Sequence, residues 1–134
     1  MISIFRICCV FCVFLAHTIC NAQSTEIGKA SYYNNSFQGK QTASGELYDK
    51  SKYTAAHPTL DFNTKVMVTN LNNNKSVVVV INDRGPYEKN RIIDLSRAAA
   101  REIGLIDKGI LKVKIEVLEN YALYFSNYYL KDQK

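Results

Sequence analysis

Hydrophobic and polar positions alternate along much of the chain, and that alternation predicts β structure. Lys65–Asn70 (KVMVTN) sets Val66 and Val68 on one face. Residues 112–117 set Val113, Ile115 and Val117 inward and Lys112, Lys114 and Glu116 outward. A period of two over this length is the signature of a half-buried strand. Residues 27–33 (IGKASYY), 53–56 and 92–95 read as further short strands. Residues 77–81 are a continuous β-branched run, which predicts a strand buried on both faces. Residues 72–75 (NNNK) form a turn that joins this run to the preceding strand as a hairpin. Residues 34–45 and 82–90 read as loops, the second containing Gly85-Pro86. One helix is expected over residues 97–103, capped by Ser96 and ended by Gly104. Short strands with one helix predict a mainly β domain closed into a small barrel.

The two ends of the chain differ from this middle. Arg6 precedes a short apolar run over residues 7–16, and a polar stretch then leads to Asn21-Ala22. These are the parts of a secretory signal peptide, with cleavage expected after Ala22. The run is short for a membrane span, which needs roughly 20 apolar residues. Lipoprotein processing at Cys20 is the alternative route, but His17-Thr18-Ile19 lacks the small residues that it normally uses. At the other end, Tyr121, Tyr124, Phe125, Tyr128 and Tyr129 recur at spacings of three and four. Such a tail packs on a barrel or offers an aromatic face to sugars or to a partner protein. The expected organisation is a signal peptide over 1–22, a barrel domain over 23–118 and an aromatic tail over 119–134.

The signal segment changes the reading of the composition. All four cysteines, Cys8, Cys9, Cys12 and Cys20, lie inside it. The exported domain is thus expected to have neither a disulfide framework nor thiol chemistry. The whole chain has 17 Lys and Arg against 12 Asp and Glu; removing Arg6 leaves 16 against 12, a net charge of +4. A mildly basic exported domain suits an anionic polymer or surface. The lysines are scattered, without the dense basic cluster of a nucleic-acid site, so no nucleic acid is expected.

The candidate chemistry is that of carboxylates with one histidine. His57 is the sole histidine of the exported part and is compatible with a structural or a functional role. Without cysteines or a second histidine, neither a metal site nor a cofactor is expected. Glu46 and Asp49 fall in the Gly45–Asp49 segment (GELYD). Asp94 precedes the helix, where a carboxylate can assist capping. Asp83 follows the most apolar strand, and partial loss of water there favours a protonated carboxyl group able to act as a general acid. The competing role for Asp83 is an ion pair or turn bond with Arg84 or nearby amides. No nucleophile elbow and no phosphate-binding Gly-rich loop is present.

Several blocks in register carry a resemblance. They are GKASYY (28–33), TASGE (42–46) with Tyr48-Asp49, TAAH (54–57), VTNLNN (68–73), INDRGP (81–86) and RIIDLSRAA (91–99). In this order and spacing they resemble the rare lipoprotein A family of peptidoglycan lytic transglycosylases. The resemblance implies a six-stranded double-psi β-barrel, shared with expansins and one endoglucanase family, with one short helix. It also implies an endolytic lyase that cleaves MurNAc–GlcNAc bonds of peptide-poor glycan strands and leaves 1,6-anhydro-MurNAc ends. Asp83 matches the family's proposed catalytic acid, and Glu46 and His57 match cleft residues tied to activity. Asp49, Tyr32, Arg84 and Asp94 fall in the matched blocks and are assigned to substrate binding. The implied partner is the peptidoglycan glycan strand, the implied location the periplasm or cell envelope, and the implied state a monomer. A non-catalytic, expansin-like wall-binding module is the alternative, because one barrel supports either role.

Overall fold

The computed structural model describes residues 24–119. The expected signal peptide with its cysteines, and the aromatic residues of the expected tail, lie outside the described residues. Six strands form: β1 (Thr25–Tyr32), β2 (Thr54–Ala56), β3 (Lys65–Asn70), β4 (Ser76–Asp83), β5 (Arg91–Leu95) and β6 (Leu111–Val117), with α1 (Arg97–Glu102) between β5 and β6. They close into a barrel in the order β1-β5-β2-β4-β3-β6. Closure leaves no unpaired strand edge. β1 runs parallel to β5 and β2 parallel to β4, while the other four pairings are antiparallel. Two parallel pairs inside an otherwise antiparallel barrel match the expected double-psi arrangement.

The period-two pattern accounts for the core. Val66 and Val68 from β3, Val79 and Ile81 from β4, Ile93 and Leu95 from β5, and Val113 from β6 are fully buried. Burying each such side chain contributes about 1.5–3 kcal/mol. The Val77–Ile81 stretch departs from expectation. Val77, Val79 and Ile81 are buried, but Val78 and Val80 are only half-buried, because a barrel this small encloses one face of each strand. β4 also continues through Asn82 and Asp83, two residues into the segment expected to be loop.

The helix starts as expected: Ser96 accepts a hydrogen bond from the Ala99 amide. Ala99, Ala100 and Ile103 bury its inner face. Gly104, in the left-handed region at φ +73°, turns the chain away. The carbonyl of Ile103 is left without a helical partner and accepts from the side-chain amides of Asn70, at 2.8 Å, and Asn73, at 3.1 Å. The VTNLNN block therefore ties the β3–β4 hairpin to the end of α1. Gly28, in the first block, packs against Ile92: a β-carbon there would lie 2.6 Å from Ile92 Cγ2.

Candidate active site

Asp83 is the last residue of β4 and pairs with Ala56, the last residue of β2, across a register shift between Ala55 and Ala56. Such a bulge re-aims side chains at a barrel rim. The Asp83 carboxyl group is half-buried and held by three donors. Its Oδ1 accepts from the backbone amides of Ala43, at 2.8 Å, and Arg84, at 2.9 Å. Its Oδ2 accepts from the Tyr33 hydroxyl at 2.5 Å. The Ser44 amide also donates to the Asn82 carbonyl at 3.2 Å, so the 42–46 loop is fastened to the end of β4 at two points. Among the described residues no cation pairs with Asp83.

Tyr33 belongs to an aromatic group. Its ring stacks on Tyr48, with centroids 4.5 Å apart, and meets the edge of Phe37 at 5.6 Å. Burial, followed by the hydrogen bond to Asp83, pushes its phenol far above the ordinary tyrosine range. It is thus a permanent proton holder beside Oδ2. Burial also raises Tyr48, whose hydroxyl accepts from the Arg97 amide at 3.2 Å. The residue assigned from sequence was Tyr32, which the structure sends elsewhere. The Tyr32 ring packs on the core and its hydroxyl donates to the Ile106 carbonyl at 3.1 Å. Alternation carried the signal: Ala30 is buried, so Tyr32 follows it inward and Tyr33 does not.

Asp94 does not cap α1; Ser96 does. Asp94 instead faces Arg91, with Oδ2 accepting from Nη2 at 3.1 Å and Oδ1 lying 3.0 Å from Nε. Its pKa is raised, chiefly by burial, against the opposing pull of Arg91 and with smaller pushes from Glu88 and Asp83. The two aspartates share one region, since each lies opposite Ala56 in the sheet register, and Arg91 pairs with Asp94 alone of the two.

The other assigned residues divide by what they touch. The Glu46 side chain is exposed, without an ion pair among the described residues, on the loop fastened to Asp83. Asp49 accepts from the Ser51 amide, at 2.9 Å, and hydroxyl, at 2.6 Å, bonds that hold it below the usual carboxylate range and close a local turn. His57 is 4% exposed, and both its ring nitrogens are engaged. Nδ1 accepts from the amides of Thr59 and Leu60, both at 3.1 Å, so the ring proton sits on Nε2, which faces Glu26 Oε2 at 3.1 Å. Its backbone, not its ring, meets Asp83: the His57 amide donates to the Asp83 carbonyl at 3.1 Å. Arg84 Nη1 donates to the carbonyls of His57, at 3.2 Å, and Leu60, at 2.8 Å, while its guanidinium lies 4.0 Å from the Phe62 ring centroid. Arg84 thus locks the 57–62 loop. Among the described residues no group of three His, Asp or Glu side chains is placed to hold a metal ion.

Comparison with known proteins agrees with this architecture. A family model described as "Lytic transglycolase" matches residues 25–115. The chain is 58% identical over 92 residues to the endolytic peptidoglycan transglycosylase RlpA of Pasteurella multocida, covering 69% of this chain and 31% of that protein. It is 57% identical over 91 residues to the protein of the same name from Haemophilus influenzae, covering 68% and 32%. With that of Campylobacter jejuni it shares 50% over 101 residues, covering 75% and 37%. The chain thus spans about a third of the length of the curated relatives that it matches. Among solved structures it is similar in fold to a Streptomyces papain inhibitor (TM-score 0.59, 22% identity, 72% of this chain and 96% of that one). A Clavibacter michiganensis expansin is a second structural neighbour (TM-score 0.56, 21% identity, 72% and 52%).

Proposed function

Because the chain belongs to the rare lipoprotein A family of lytic transglycosylases, we propose that its barrel is an endolytic peptidoglycan transglycosylase of the cell envelope. Its substrate is a peptide-poor glycan strand, cut between MurNAc and GlcNAc to leave a 1,6-anhydro-MurNAc end. One observation carries the reading: Asp83 is oriented by three neutral donors and, among the described residues, by no cation. Such a carboxyl group is fixed in direction without a full opposite charge beside it.

The chemistry follows from those bonds. Two amides occupy Oδ1, which leaves Oδ2 as the oxygen that exchanges a proton. The Tyr33 hydroxyl beside it both donates and accepts, so it can adjust to either form of the acid. Protonated Asp83 gives its proton to the glycosidic oxygen as the C1–O bond breaks. The C6 hydroxyl of the same muramoyl sugar then closes on C1, and Asp83 takes the hydroxyl proton. One carboxyl group serves both steps and no water is consumed, unlike the two-carboxylate hydrolysis of common glycosidases. Glu46 offers a free carboxylate to sugar hydroxyls from the loop that Asp83 fastens. His57 and Arg84 are positioning residues that hold the neighbouring loop.

Product analysis tests the proposal. Purified protein is incubated with peptide-free glycan strands, and fragments are read by mass spectrometry for anhydro ends. They are expected with the wild type and absent with Asp83→Asn. Glycan retention with no new ends from the wild type favours the non-catalytic module.

A further inference from the structure

A groove of about 720 Å³ runs outside β1 and β6, at a distance along the chain from the Asp83 cluster. Ile27, Lys29, Asn90, Ile92, Ile110 and Lys112 line it. Lys29 and Lys112 are direct cross-strand partners, and both are exposed. Like charges in that position repel. Neighbouring acids do not relieve them: Glu88 and Asp94 are taken by Arg91, and Glu116 by Lys114. Beside the two ammonium groups, Ile27 is 56% and Ile110 51% exposed. The Ile92 side chain packs directly on Gly28 and adds to the apolar wall. Among the described residues neither lysine has an ion-pair partner, so the groove combines two such cations with apolar walls, the complement of an anion carried on a partly apolar body.

We propose that this groove is a second glycan-binding site, in which Lys29 and Lys112 hold the lactyl carboxylate of a peptide-free muramoyl sugar. This inference rests on the proposed peptidoglycan activity. Removal of a stem peptide converts the lactyl group from a neutral amide into a free carboxylate, so two lysines distinguish stripped from substituted strands. Ile27 and Ile110 cover the apolar faces of adjoining rings. Residues 83–90 connect the candidate acid to the groove rim at Asn90, and seven residues span at most about 25 Å. A single strand of several sugars is long enough to touch both places.

Binding measurements on full-length Asp83→Asn protein test this. The ligands are peptide-free glycan and the same glycan with its lactyl carboxylates methylated. The added substitutions Lys29→Gln with Lys112→Gln are expected to weaken binding of the free-acid glycan about tenfold. They are expected to leave binding of the methylated glycan unchanged, and Lys29→Arg with Lys112→Arg to retain the preference. An equal preference for the free acid with and without the two lysines would overturn the inference. Lysine-dependent binding to anionic phospholipid vesicles, with no lysine effect on glycan, would also overturn it by giving the groove to a membrane surface. Failure of the wild type to form anhydro ends would remove the lyase reading alone, since carboxylate selectivity is read here without any cutting.

Discussion

Tyr33→Phe removes one hydroxyl and keeps the ring that stacks on Tyr48. The variant loses the hydrogen bond to the Asp83 side chain, worth about 0.5–1.5 kcal/mol between neutral groups and about 1.5–3 kcal/mol to a charged one. The site is half-buried and water replaces part of the bond, so a loss of about 1–2 kcal/mol is expected. The pH dependence is the sharper test. In the folded protein the phenol stays protonated far above 10, held by burial and by Asp83, whereas in the unfolded chain it ionises near 10. Above that pH the unfolded state binds fewer protons than the folded one. The stability from this group is therefore complete below pH 10 and is lost as pH rises, at no more than about 1.4 kcal/mol per unit. Two units above, the ceiling is about 2.7 kcal/mol, which screening at a half-buried site reduces to about 1–2 kcal/mol. The variant lacks the group and escapes this loss, so its deficit should close by about pH 12. Urea unfolding followed by far-ultraviolet circular dichroism from pH 7 to 12 reads the difference. All other groups are common to both proteins and cancel. A gap that stays constant across this range would refute the reasoning, because Tyr33 would then ionise as it does in the unfolded chain.

Three further outcomes are expected. Gly28→Ala should cost about 1–3 kcal/mol by forcing a β-carbon into Ile92, and thermal unfolding should show most of that cost disappearing in an Ile92→Ala background. Arg84→Lys should lose the paired bonds to His57 and Leu60 and the contact over Phe62, lowering stability by about 1–3 kcal/mol and hastening proteolysis within residues 57–62. For His57, nitrogen NMR should find the ring proton on Nε2. His57→Ala should strand the Thr59 and Leu60 amides at a cost of about 1–3 kcal/mol. Loss of turnover in that variant at unchanged stability would contradict its positioning role.

The fold was largely legible because its strands obey a two-residue period against a single core. Val66, Val68, Val113 and Ile115 all lie inside, as their spacing predicts. Ser96 and Gly104 bound the helix through local chemistry that a sequence displays directly. The run at 77–81 misled, because composition does not say how many faces a strand buries. Val78 and Val80 are tolerated half-exposed on the outside of a small barrel. The clasp of Asn70 and Asn73 on the Ile103 carbonyl was not foreseen, since it joins residues some thirty positions apart whose pairing depends on barrel closure.

The site was legible in part, and the reason lies in how carboxylates acquire partners. Sequence assigned Asp83, Asp94, Asp49 and Glu46 to one site without showing what holds each. Folding assigns those partners over long separations. Arg91 fixes Asp94, Ser51 fixes Asp49, and His57 faces Glu26 rather than any of them. Arg84, adjacent to Asp83 in the chain, turns its guanidinium to the 57–60 carbonyls and leaves Asp83 to amides and a phenol. A guanidinium on Asp83 would favour its charged form at every step of a proton transfer. Dipoles from amides and a hydroxyl aim the group without setting a full positive charge against it. The same chain segment thus supplies both the acid and the cation that must be kept from it, and keeping them apart is the work of the 57–62 loop. A protein in which that loop is loosened should keep its barrel and release the Arg84 guanidinium from the carbonyls that hold it away from Asp83.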